Sequence, residues 1–120
     1  MRLLTAHLPL PSYDVQYRLV AGSAKQCTVR EKLMFPKLCR DAGETYEGSY
    51  VWEKEDHVIF LLSPIKLRTV LHECWHLTRG ILDYREADYG ADYDEHAALL
   101  HEHVTCWTID VLRKSGVLKL

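Results

Sequence analysis

Between residues 64 and 82 apolar side chains recur at three- and four-residue steps: Leu67, Val70, Cys74, Leu77 and Ile81. That spacing puts them on one stripe of an α-helix. Thr69, His72, Glu73, His76 and Gly80 fall on the opposite side. Pro64 suits the first turn, where a missing N–H leaves no hydrogen bond unmade. A second long helix is expected from Asp92 to Lys114, with Gly116 as its stop. Its apolar residues occupy most of the circumference: Ala97, Leu100, Val104, Trp107 and Val111 on one side, Ala98, Leu99, Cys106 and Ile109 on another. Only a narrow stripe through His96, His103, Asp110 and Lys114 is polar, which predicts that this helix is the central packing element.

The first half of the chain patterns differently. Residues 13–20 (YDVQYRLV) alternate and suggest a strand. Residues 28–40 suggest a short helix ended near Pro36, with Thr28 as N-cap and Glu31 completing a capping box. Residues 45–53 and 57–62 flank Lys54-Glu55-Asp56 as the two strands of a hairpin. Strands early and helices late give an α+β class. No repeat, low-complexity tract or linker divides residues 1–120, so one domain is expected.

Composition mainly excludes. A net charge of −2, with Lys and Arg dispersed among acids, gives no field for nucleic acid. No run approaches the ~18 apolar residues that span a bilayer. The start, MRLLTAHLPLP, is broken by His7 and two prolines and lacks the pattern of a secretory signal. A cytoplasmic protein without membrane or nucleic-acid partners is therefore expected. Cys27, Cys39, Cys74 and Cys106 form no C-x-x-C pair and read as small buried hydrophobes. The acidic, tyrosine-rich stretch 83–91 reads as a solvated connection without EF-hand spacing.

The candidate chemistry lies in His72-Glu73-Cys74-Trp75-His76, an H-E-x-x-H within the most regular helical segment. Imidazoles at i and i+4 project from one helix face and can converge on a single ion. Glu73, at the edge of that face, can reach a water beside the ion and take its proton. With 7 His and 9 Glu in 120 residues, the pattern is expected by chance only about 0.03 times. Zinc is the implied cofactor. A catalytic zinc site keeps three protein ligands and one open position. Glu95, at the start of the last helix, is the first candidate for the third ligand, because a short connection brings that helix's beginning near the end of the first. Asp92, Asp94 and Glu102 are rivals, and Asp92-x-x-Glu95 also has the form of a helix cap. His7 and His57 read as surface residues.

HECWH followed by the DEHAA helix start resembles the gluzincin branch of the zincin metallopeptidases. More narrowly it is similar to small HExxH proteins of phages and prophages, and more loosely to ImmA/IrrE-type peptidases. The stretch from Gly48 to Leu112 carries the likeness. The resemblance implies a minimal zincin-like domain, a small antiparallel or mixed sheet packed on the HExxH helix and a long C-terminal helix. It implies zinc on His72, His76 and Glu95, with Glu73 as general base. It also implies a protein or peptide substrate lying along an edge strand, supplied by residues 45–52 or 57–62. Tyr84, Tyr89, Tyr93 and His101 are all open as the oxyanion's helper. The leading expectation is a zinc metallopeptidase. The alternative is a zinc-stabilised protein-binding module without turnover, as the chain is short for a peptidase. The oligomeric state is left open.

Overall fold

The computed structural model describes residues 2–38, 47–85 and 92–119. The chain is α+β: among the described residues, a four-stranded mixed sheet carries helices on both faces. Strands β1 (Leu4–Leu10) and β2 (Val15–Gly22) form an antiparallel hairpin, joined by a 3-10 turn at Pro11–Tyr13. Helix α1 (Ala24–Met34) follows, then the antiparallel pair β3 (Gly48–Glu53) and β4 (Asp56–Leu62). Helices α2 (Leu67–Tyr84) and α3 (Tyr93–Lys114) complete the order. The spatial order is β1-β2-β4-β3, with β2 and β4 parallel from Gln16–Asp56 to Gly22–Leu62.

Strand alternation sorts the side chains into two cores. Tyr17, Leu19, Ala21, Ile59 and Leu61 face α2 and α3, whereas Val20, Val58 and Phe60 face α1 with Cys27 and Phe35. The interior strand β4 is therefore buried from His57 through Leu61. One polar knot ties the larger core together. Thr108 donates to the Val104 carbonyl, and its oxygen accepts from Tyr17 Oη at 2.7 Å and from Cys74 Sγ at 3.7 Å. Burial pushes the Tyr17 phenol well above its usual range, so it stays a donor.

Several expectations shift. The sequence pattern does not predict β1: its Pro9 and exposed His7 disguise a strand whose inward positions run Leu4, Ala6, Leu8 and Leu10. The second strand begins at Val15 and ends at Gly22, rather than spanning 13–20. The capping box lies at Ser23 and Gln26, not at Thr28 and Glu31, because the chain turns into the helix directly after β2. Ser23 Oγ accepts from Gln26 N at 3.1 Å, and Gln26 Oε1 accepts from Ser23 N at 2.8 Å. Residues 39–40 of the expected first helix, 45–46 of the expected strand and 86–91 of the expected connection lie outside the described residues, as does Cys39. Cys27 and Cys74 are buried as expected, but Cys106 is exposed.

The last helix is not enclosed. Ala97, Leu100, Val104, Thr105, Thr108 and Leu112 are its buried face, whereas Leu99 is 56% exposed and Ala98 and Cys106 face solvent. α2 carries the more deeply packed stripe, with Val70, Cys74, Leu77 and Ile81 all at 0% exposure. It also buries part of the side expected to be polar, since Thr69 and Glu73 turn toward β3. Among the described residues no helix is long and apolar enough to cross a membrane.

α2 sits so close to β3 that two positions must be glycine-sized. A Cβ on Gly80 would lie 2.0 Å from Tyr50 Oη and 2.5 Å from its Cζ. Alanine in a helix interior ordinarily gains about 0.8–1.0 kcal/mol over glycine. Here overpacking outweighs that gain. Gly80→Ala is expected to destabilise the chain by about 1–3 kcal/mol, while in a Tyr50→Ala background it is expected to stabilise, by up to about 1 kcal/mol. Urea unfolding of the four variants reads both signs; a stabilising Gly80→Ala in the unaltered chain would refute the close seat.

Candidate metal and catalytic site

The two histidines of the motif stand one turn apart on the outward side of α2. Their rings meet at 4.6 Å between centroids, and His72 Nε2 lies 3.0 Å from His76 Nε2. Two Zn–N bonds at a tetrahedral angle hold their nitrogens about 3.4 Å apart. The pair is therefore shaped either for one N–H···N hydrogen bond or, with both lone pairs turned outward, for a shared cation. The His72 side chain is 66% exposed, whereas that of Glu73 is 9% exposed, with Oε1 at 4.0 Å from His72 Nε2. The base candidate is thus held in the wall while the ligand candidates are open to solvent.

β3 explains that burial. Its face toward α2 is Gly48, Tyr50 and Trp52, in register with Leu61, Ile59 and His57 of β4. Along α2, Gly48 meets Thr69 and Glu73, Tyr50 meets Gly80, and Trp52 meets Tyr84. A Cβ on Gly48 would lie 3.2 Å from Glu73 Cγ and 2.8 Å from Thr69 Cγ2. Glu47, next to that glycine, fastens the start of α2. Its Oε1 accepts from Lys66 at 2.7 Å and Arg68 at 3.0 Å, and its Oε2 from Thr69 at 3.0 Å. Those bonds, Lys66's foremost, hold the carboxyl at about 2.

The remaining candidates separate. Glu95 is exposed on the first turn of α3, as are Asp94 and, at the N-cap, Asp92. Asp92 makes no side-chain capping bond. Glu102 and His103 are exposed further along. Among the described residues no group of three or more His, Cys, Asp or Glu side chains converges as a metal cluster. The motif thus brings two imidazoles together, and among the described residues Glu95 is not gathered with them. Of the possible oxyanion helpers, Tyr89 lies outside the described residues. Tyr93 has a buried hydroxyl with no hydrogen bond among the described residues and packs under Arg79, 5.6 Å from its ring centroid. His101 stacks edge-on to Trp75 at 5.4 Å, with Nε2 buried and unpartnered. Tyr84 belongs to an aromatic cluster at the far end of α2. The substrate-edge alternatives also separate: β4 is interior, so 57–62 has no free edge, and β3 is the outer strand beside the motif.

His57 departs most from its surface reading. It is 0% exposed, packed between Trp52 and Tyr84 at 5.8 and 5.5 Å. Nδ1 is hydrogen-bonded to Tyr50 Oη at 2.6 Å, while Nε2 is buried with no hydrogen-bond partner among the described residues. Parity along β4 was the available signal, since 57, 59 and 61 share the inner face. No protein-family model, curated protein or solved structure matches the chain.

Burial lowers the His57 pKa from 6.5 to about 4. Between those values only the unfolded ring binds a proton, so stability is complete above about 6.5 and falls as the pH drops toward 4. The loss amounts to roughly 3 kcal/mol. Glu47 adds a second loss that sets in only below its unfolded value of 4.5. Urea unfolding from pH 7 to 4 is expected to show the first decline, and NMR of the folded chain to give a His57 midpoint near 4. A midpoint near 6.5 would show the ring to be hydrated.

Proposed function

We propose that this chain is a zinc-dependent metallopeptidase that hydrolyses a peptide bond. In this reading His72 and His76 hold the ion, Glu95 completes the protein ligands and Glu73 is the general base. One observation carries the reading: two imidazole nitrogens 3.0 Å apart on one helical turn, with a carboxylate fixed 4.0 Å from one of them. When bound, zinc supplies Lewis acidity that makes water acidic enough to lose a proton near neutral pH. In this reading Glu73 would accept a proton from the attacking water and pass it to the departing amine. Its burial between α2 and Gly48 fixes the carboxylate's direction, so little reorientation is needed. The outer edge of β3, unpaired among the described residues, suits an extended peptide backbone, which docks through main-chain bonds without particular side chains. Glu95, on the first turn of α3, would supply the third protein ligand in this reading.

Purified chain is expected to carry one zinc per molecule and to cut members of a peptide library. Glu73→Gln should keep the zinc and lose hydrolysis by about 100-fold or more. His72→Ala, His76→Ala and Glu95→Gln should each lower zinc affinity, the histidine changes most. Full turnover by Glu73→Gln would overturn the role of Glu73. Zinc held by four protein groups with no peptide cut would leave a metal-stabilised binding module instead.

A further inference from the structure

The sheet face carrying α1 is covered unevenly. α1 packs across β2 and β4, while the β1–β2 hairpin turns Thr5, His7 and Arg18 to the same side and leaves them exposed. Between that strip and the flank of α1 runs a cleft of about 350 Å³, lined by Thr5, His7, Arg18, Val20, Arg30 and Met34. Ligand sites begin at about this size, roughly 300 Å³, and combine apolar walls with a few placed polar groups.

The chemistry of the lining is one-sided. Arg30 and Met34 are one turn apart on α1, so a guanidinium and a thioether share the wall above Val20. Arg30 pairs with no carboxylate among the described residues. Arg18 has only Asp56 at 3.9 Å, with both side chains about half exposed, a pair too wet to hold the guanidinium firmly. The His7 ring is steadied by Nε2–H donating to Gln16 Oε1. Among the described residues no acidic side chain lines the cleft. Two permanently charged planar forks match the paired oxygens of a phosphate or carboxylate. Val20 and Met34 offer them an apolar neighbour.

We propose that this cleft binds a small amphiphilic oxyanion, a phosphate or carboxylate head on an apolar body, seated between α1 and the β1–β2 hairpin. The site is on the sheet face opposite His72 and His76, and it stands apart from the hydrolytic reading. The head would take its bonds from Arg18 and Arg30, with the body against Val20 and Met34.

The test is an NMR titration of the intact chain at low salt with phenyl phosphate, with benzoate and with benzyl alcohol. At least one of the two anions is expected to bind saturably, with a dissociation constant of about 1 mM or tighter, and to shift the methyl signals of Val20 and Met34. Tighter binding of phenyl phosphate identifies a phosphate head, and tighter binding of benzoate a carboxylate. Arg30→Gln and Arg18→Gln should each weaken binding about tenfold or more, with amide spectra reporting that both variants fold. Arg113→Gln, on α3, should leave it unchanged. The proposal is overturned if neither anion saturates by about 10 mM, if benzyl alcohol binds as tightly as the anions, or if Arg113→Gln weakens binding as much as the cleft variants.

Discussion

Helix α2 can reach the sheet's outer strand only where side chains on the strand and helix give way. Gly48 gives way beneath Thr69 and Glu73, and Gly80 gives way beneath Tyr50. Between these two contacts the helix is laid along β3 at fixed height and rotation, while Val70, Cys74, Leu77 and Ile81 fill the core behind it. The rotation decides everything on the outer side. It carries the carboxylate of Glu73 inward and leaves the rings of His72 and His76 outward. A bulkier residue at either glycine would lift or turn the helix, and the motif would turn with it.

The same seat creates a polarity gradient along α2. At its start Glu47 gathers Lys66, Arg68 and Thr69 about one carboxylate, which also faces the positive end of the helix dipole. At its end the wall is aromatic: Trp52, His57 and Tyr84, with Arg85 over the Tyr84 ring at 4.7 Å. The histidine pair lies between a charged anchor and a dry, stacked one. Both ends resist rotation of the helix by different physics, ion pairing that salt weakens at one end and ring packing that salt leaves alone at the other.

The sequence was most informative where periodicity and chemistry agreed. The α2 stripe, the β3–β4 hairpin and the convergence of His72 with His76 follow from spacing alone. Spacing failed where a local feature masked a tertiary one. Pro9 and His7 made β1 look broken, although outer strands tolerate both residues on the solvent side. Two capping boxes were written within nine residues, and only the end of β2 selects Ser23 over Thr28. In α3 the apolar count exceeded what one sheet and one helix could cover, so Leu99 stayed outside. The burial of Glu73 is not legible in the α2 spacing, because the glycine that admits it lies 25 residues upstream, on another element.

The β2–β4 pairing joins residues forty positions apart, Gln16 with Asp56 and Gly22 with Leu62. Each of the hairpins on either side can zip from its own turn within microseconds. Their union must wait for a long intervening segment to bring two ready-made ribbons edge to edge in the right register. A one-residue slip there would send Ile59 and Leu61 to the α1 side and Val58 and Phe60 to the other, exchanging two cores of different shape. Assembly is thus expected to be gated by a late, mutual recognition between two hairpins rather than by growth from one end.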